Sequence, residues 1–128
     1  MSDLDLGALS APIEALRDDV KAAYERVDAK WEVITERLKS LPIPCAVSYC
    51  LWESDSCMES RCLEFRKYSG KKRICLTYYS IHSQSEECDI TPYDEWSGEQ
   101  RVDMLKHVPN LFERATAQTK EFIAKTME

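Results

Sequence analysis

Residues 45–82 read CAVSYCLWESDSCMESRCLEFRKYSGKKRICLTYYSIH, and the period of this stretch decides the fold class. Apolar side chains recur at every second position, and the stretch is rich in β-branched, aromatic and cysteine residues, so it reads as strand. Ser54-Asp55-Ser56 and Ser69-Gly70-Lys71 supply two turns, because Ser, Asp and Gly stabilise or tolerate turn conformations. Three antiparallel strands follow from two turns. A two-residue turn at Ser69-Gly70 or Gly70-Lys71 sets Ile74, Leu76 and Tyr78 on the face of Leu63 and Phe65. A slip of one residue would turn that apolar set to water. Val47, Tyr49 and Leu51 complete the inner face, which leaves Ser48, Cys50, Trp52, Cys62, Glu64, Arg66, Cys75 and Thr77 on the outer one.

Four of the six cysteines lie in 45–62, at the spacing C-x4-C-x6-C-x4-C. A structural zinc site favours C-x2-C, because a tight turn must aim two thiolates at one ion. Residues five apart on a strand point to opposite faces, so Cys45 with Cys50 and Cys57 with Cys62 cannot chelate together. A composite site of Cys50, Cys62, Cys75 and His82 is the geometry that remains for a metal. If the first hairpin is centred on Ser56, Cys50 stands opposite Cys62, at a cross-strand distance somewhat longer than a disulfide prefers. The expectation is a hairpin that uses free cysteine as a small hydrophobe, with no metal and no cofactor.

Upstream, residues 10–41 read as one long helix. Ile13, Val20, Val27, Ile34 and Leu41 recur at intervals of seven. A second series begins at Leu16 and Ala23 and then drifts one place to Tyr24, Trp31 and Leu38, as a straight 3.6-residue helix does against a heptad. Pro12 suits a first turn, and Pro42 and Pro44 end the run. Downstream, 83–95 is an acidic loop with five acids and no base. Ser97 with Gln100 forms a capping box that opens a short helix near 98–107. After Pro109 a final helix sets Leu111, Phe112, Ala115, Thr119, Phe122 and Ile123 on one side, within a helical part spanning 97–127. The chain 1–128 is expected to be a single α+β domain in two layers: long N-terminal helix, three-stranded antiparallel β-meander, two C-terminal helices.

Function is less directly written. The 128 residues carry 17 Lys and Arg against 23 Asp and Glu, a net charge of −6, which disfavours a general nucleic-acid or anionic-membrane binder. No signal-like start and no span-length apolar run stands out, so a cytoplasmic protein is expected. No phosphate loop, dinucleotide fingerprint or nucleophile elbow is present, and the acids of 86–95 lack the EF-hand spacing. His82 beside Cys88 could serve a thiol or metal enzyme, but no orienting partner can be placed, and His107 is explained by a helix C-terminus. The chain is read as no enzyme.

Two features suggest binding instead. Residues 61–82 hold Arg61, Arg66, Lys67, Lys71, Lys72 and Arg73 against Glu64 alone, while 83–95 is as strongly acidic. With Tyr68, Tyr78 and Tyr79 nearby, the basic hairpin 61–73 could serve a nucleic-acid-binding accessory protein. Mutual neutralisation of the two segments is the simpler reading. The long helix, about 45 Å for 30 residues, outruns three short strands, and its overhang needs cover. Trp52, Tyr79, Arg66, Tyr24 and Trp31 are therefore candidate anchors for a protein partner, and a homodimer is expected. The class that fits is a small acidic accessory protein of immunity, antitoxin, chaperone or mobile-element type.

Overall fold

A computed structural model describes residues 3–82 and 85–128. The architecture is α+β. Four antiparallel strands, β1 (Val47–Glu53), β2 (Glu59–Tyr68), β3 (Lys71–His82) and β4 (Ser85–Pro92), form one sheet in the order of the chain. The expected sheet of three strands is therefore one strand short. What reads as an acidic loop is β4, paired with β3 from His82↔Ser85 to Cys75↔Pro92, followed by a 3-10 turn at Tyr93–Glu95. Asp and Glu are poor strand formers, which hides β4 in the sequence. On an edge strand those charges have a use, because they deter pairing with another chain.

The register of the first three strands follows the apolar pattern. Val47 pairs with Phe65 and Tyr49 with Leu63. Leu63 in turn pairs with Leu76, and Phe65 with Ile74. Ser69 and Gly70 both take positive φ, 52° and 82°, which is the two-residue turn whose twist suits a hairpin. One detail departs from strict alternation. A bulge between Cys50 and Trp52 pairs Trp52 with Arg61, so Trp52 leaves the outer face and shares a row with Arg61 and Tyr78.

The N-terminal helix also differs from expectation. It begins earlier, at Leu6, because Asp5 accepts the Ala8 N–H and caps it. It is interrupted at Ala15–Leu16, giving α1 (Leu6–Glu14) and α2 (Arg17–Ser40). At the break the Leu16 N–H bonds to the Ile13 carbonyl, a 3-10 closure, and Arg17 pairs with Glu14 across it. Pro12 is inside α1 rather than in its first turn. The remaining elements are α3 (Gly98–Asp103), opened by the expected Ser97–Gln100 capping box, a 3-10 turn at Met104–His107, and α4 (Val108–Lys125).

Helices cover one face of the sheet. Val27, Trp31 and Leu38 of α2 and Leu111 and Ala115 of α4 form a single core with Val47, Leu63, Phe65, Ile74, Leu76 and Trp96. The free edge of β1 is closed by α4. Gln118 accepts the Ser48 N–H and donates to the Ala46 carbonyl, and Arg114 donates to the Ser48 carbonyl. Those bonds satisfy backbone groups that would otherwise invite a further strand.

Candidate functional site

A row of exposed large apolar side chains lies on the N-terminal helical arm. Every residue from Asp3 to Lys21 is exposed, so α1 and the first turns of α2 stand clear of the domain. Along that arm Leu6, Leu9, Ile13, Leu16, Val20 and Ala23 succeed one another at alternating steps of three and four, the seam of a coiled coil. Leu6, Leu9 and Ile13 are 69%, 62% and 72% exposed. Leu4, Leu6 and Leu9 escape a reading that starts the helix at Ser10. The heptad could have found Leu6 and Leu9, because stepping back seven from Ile13 and Leu16 lands on them.

Where the arm meets the domain, the stripe shifts and becomes core. Tyr24 is half-exposed, while Trp31 is 2% exposed, fully inside the fold rather than at a rim. Arg101 fixes this junction. Its guanidinium donates to Asp28 at 3.0 Å and lies over the rings of Tyr24 and Tyr93, 5.3 and 4.9 Å from their centroids. Tyr93 also donates to Asp28, and the Trp31 indole donates to the Arg101 carbonyl at 2.7 Å. Burial first, and then the bond to Asp28, raise the Tyr93 phenol above its ordinary value. Beside this cluster an apolar groove of about 210 Å³ runs between α2 and α3, lined by Val20, Ala23, Tyr24, Val27, Gly98 and Val102. It continues the seam, and Gly98 keeps it tight, since a Cβ there would meet the Tyr24 hydroxyl at 2.5 Å.

The outer sheet face is closed by its own side chains. Glu64, only 3% exposed, accepts from Arg66 at 3.1 Å and from the Tyr79 hydroxyl at 2.7 Å. To reach Glu64 from its row, Tyr79 must cross Thr77, which together with Cys75 is fully buried. Arg66 and Tyr79 are thus bonded to each other and to Glu64 across the sheet. Burial and the Glu64 bond push the Tyr79 phenol up. Burial opposes the charge of Arg66, but the bond and charge of Glu64, joined by Tyr79 and Cys88, raise it on balance.

All six cysteines are free thiols. Cys50 does stand opposite Cys62. Burial raises Cys62, and carries Cys75 to about 11, so both thiols are held in the unreactive protonated form near neutral pH. At the exposed Cys57, a bond to Glu53 and then its charge have the same effect. Cys75 faces Glu64 and Pro92 rather than another thiol. The side chains of residues 82–87 lie outside the described residues, and with them the His82 half of the composite metal site and of the His82–Cys88 pair. Among the described residues no group of three His, Cys, Asp or Glu is arranged to hold a metal ion.

The basic residues do not form one surface. Alternation sends Arg66 and Arg73 to the outer face and Arg61, Lys67 and Lys72 to the other, with Lys71 beginning β3 after the turn. Arg73 pairs with Asp94 at 3.8 Å, and Lys72 lies 6.0 Å from the Phe65 ring centroid. A cleft of about 400 Å³ lies between Lys71, Lys72 and Arg73 and the α2 residues Asp28, Glu32, Glu36 and Lys39, so three acids and one base face the hairpin across it. No described helix is long and apolar enough to cross a membrane. No family model, curated protein or solved structure matches this chain.

Proposed function

We propose that this chain is a non-catalytic cytoplasmic accessory protein that works by binding another polypeptide through its N-terminal arm. The observation that carries this reading is the apolar seam from Leu6 to Ala23, exposed on a helical run that stands clear of its own domain. A helix as short as α1 is marginal in water by itself, because nucleation is costly and most helical stability comes from packing of an apolar face. A seam of Leu, Ile and Val at heptad spacing meets that need when another helix lies along it. An exposed stripe of this extent on an acidic protein is therefore best explained as an interface.

The anchors on this reading are Leu6, Leu9, Ile13, Leu16 and Val20, with Tyr24 at the domain end. Trp52, half-exposed beside Arg61 and Tyr78, is a secondary contact near the β1–β2 hairpin. Arg66 and Tyr79 support the outer face rather than a partner. The nucleic-acid reading loses ground because its six cations are divided between two faces and opposed by Asp94, Glu32 and Glu36.

The test is a paired variant, Ile13→Asp with Leu16→Asp. Both sites are exposed, so the domain should melt within about 0.5 kcal/mol of the parent. Every protein association of the parent, with itself or with proteins of its own cell, should be lost in the variant. Associations that survive both substitutions unchanged would overturn the reading.

A further inference from the structure

Resting on that docking reading, we infer that the occupant of the seam is the seam of a second copy, laid antiparallel about a two-fold axis between Glu14 and Ala15, next to the helix break. The seam is self-complementary in that direction. Leu6 meets Ala23 of the second copy, Leu9 meets Val20, Ile13 meets Leu16, and the same three pairs recur beyond the axis. Large side chains oppose the small one where the arm joins the domain. There the groove between α2 and α3 stands open beside Ala23, and Leu4 and Leu6 of the second copy arrive at its mouth.

Three further observations select this arrangement over a parallel one. Charge is the first. Asp5 and Arg26 flank the seam on the same side, and antiparallel pairing sets Asp5 of each copy beside Arg26 of the other. Parallel pairing would place Asp5 beside Ser10, Asp19 beside Tyr24 and Arg26 beside Trp31, with no opposite charges matched. Reach is the second. The stripe turns into its own core at Val27 and Trp31, so a parallel pair would run its two domains into one another, whereas an antiparallel pair puts them at opposite ends. The break is the third. With the axis between Glu14 and Ala15, α1 of each copy lies against the first turns of the other's α2, so the two interruptions lie within one turn of each other and both straight segments stay paired.

The experiment is disulfide trapping by mild oxidation of three full-length variants, Leu9→Cys, Val20→Cys and the double variant, with cross-links located by peptide mass spectrometry. Sedimentation of the unmodified protein runs alongside. The expected result is a dimer in sedimentation and, in the double variant only, a link from position 9 of one copy to position 20 of the other. Each single variant should give no link at its new site, since the two equal positions lie far apart along the seam. A link from Leu9→Cys alone would overturn the antiparallel arrangement. A monomer at about 100 µM would overturn the second copy as occupant, while arm-dependent capture of another protein would leave the docking reading standing. Reversing one flank gives an independent check. Asp5→Arg and Arg26→Asp should each weaken self-association about three- to tenfold. Mixing the two variants matches both flanks again while one copy still lacks the α1 cap, so association in the mixture should exceed that of Asp5→Arg alone. No recovery would reject the flank pairing.

Discussion

The two halves of the N-terminal helical run make opposite use of the same kind of stripe. From Leu6 to Ala23 the apolar positions keep a strict alternation of three and four, and every one is exposed. At the boundary the stripe takes two successive steps of four, from Ala23 to Val27 to Trp31, and beyond that drift Val27, Trp31 and Leu38 are buried against the sheet. A globular core tolerates a drifting stripe because a broad sheet lies under it. A partner helix offers only a narrow groove, so the stripe that meets it must hold its phase. The boundary between the two regimes is the Tyr24–Arg101–Asp28 junction.

The most demanding check of this contrast is to cut into each half separately. Trp31→Ala removes an indole packed against Tyr93 and Trp96 and a bond to the Arg101 carbonyl, and should cost the domain about 3–5 kcal/mol in denaturant unfolding. Ile13→Ala, equally apolar by sequence, should leave that stability within about 0.5 kcal/mol at a concentration where the protein is monomeric. Equal losses would mean that the arm belongs to the core after all.

A finer probe sits at the boundary. Arg101→Ala strips Asp28 of its ionic partner and leaves Tyr24 and Tyr93 without the cation between them. A loss of about 2 kcal/mol is expected by the same measurement. Hydrogen exchange should quicken around 24–31 and remain unchanged along 6–20. Loosening that spread into the arm would show the two halves to be coupled.

The smallest effect is expected at alkaline pH. Tyr93 and Tyr79 are raised above 10.0 in the fold, so the fold favours their neutral forms. The unfolded chain then releases these protons first. Their contribution is fully present below pH 10 and is lost as pH rises through the folded-state values. Unfolding free energy should therefore fall above about pH 10, and Tyr93→Phe should flatten part of that slope. The helicity of the arm, which contains neither tyrosine, should not follow it.

Much of the sheet is legible from residues alone. The alternation of Leu63 and Phe65 against Ile74 and Leu76, with the Ser69-Gly70 turn, fixes β2 and β3. Cys50 does stand opposite Cys62, but the first turn pairs Glu53 with Ser60 rather than centring on Ser56, and the bulge supplies the one-residue offset. The fourth strand is hidden because Glu86, Glu87 and Asp89 are poor strand formers that an edge nonetheless employs. The bulge that turns Trp52 has no signature in composition. The capping box at Ser97 is a local motif and is read directly, whereas Asp5 caps a helix whose start signals, Ser10 and Pro12, point further along the chain. The candidate site is the least legible part. Exposure depends on which half of the stripe the sheet covers, and sequence spacing alone does not say where the sheet ends.

The meander order of the strands also bears on how the molecule assembles. Each strand pairs with its neighbour in sequence, so the sheet can grow by closing one short loop after another, without first bringing distant parts of the chain together. The arm enters none of these steps. Its sequence is free to change with its partner while the rate at which the domain folds stays the same.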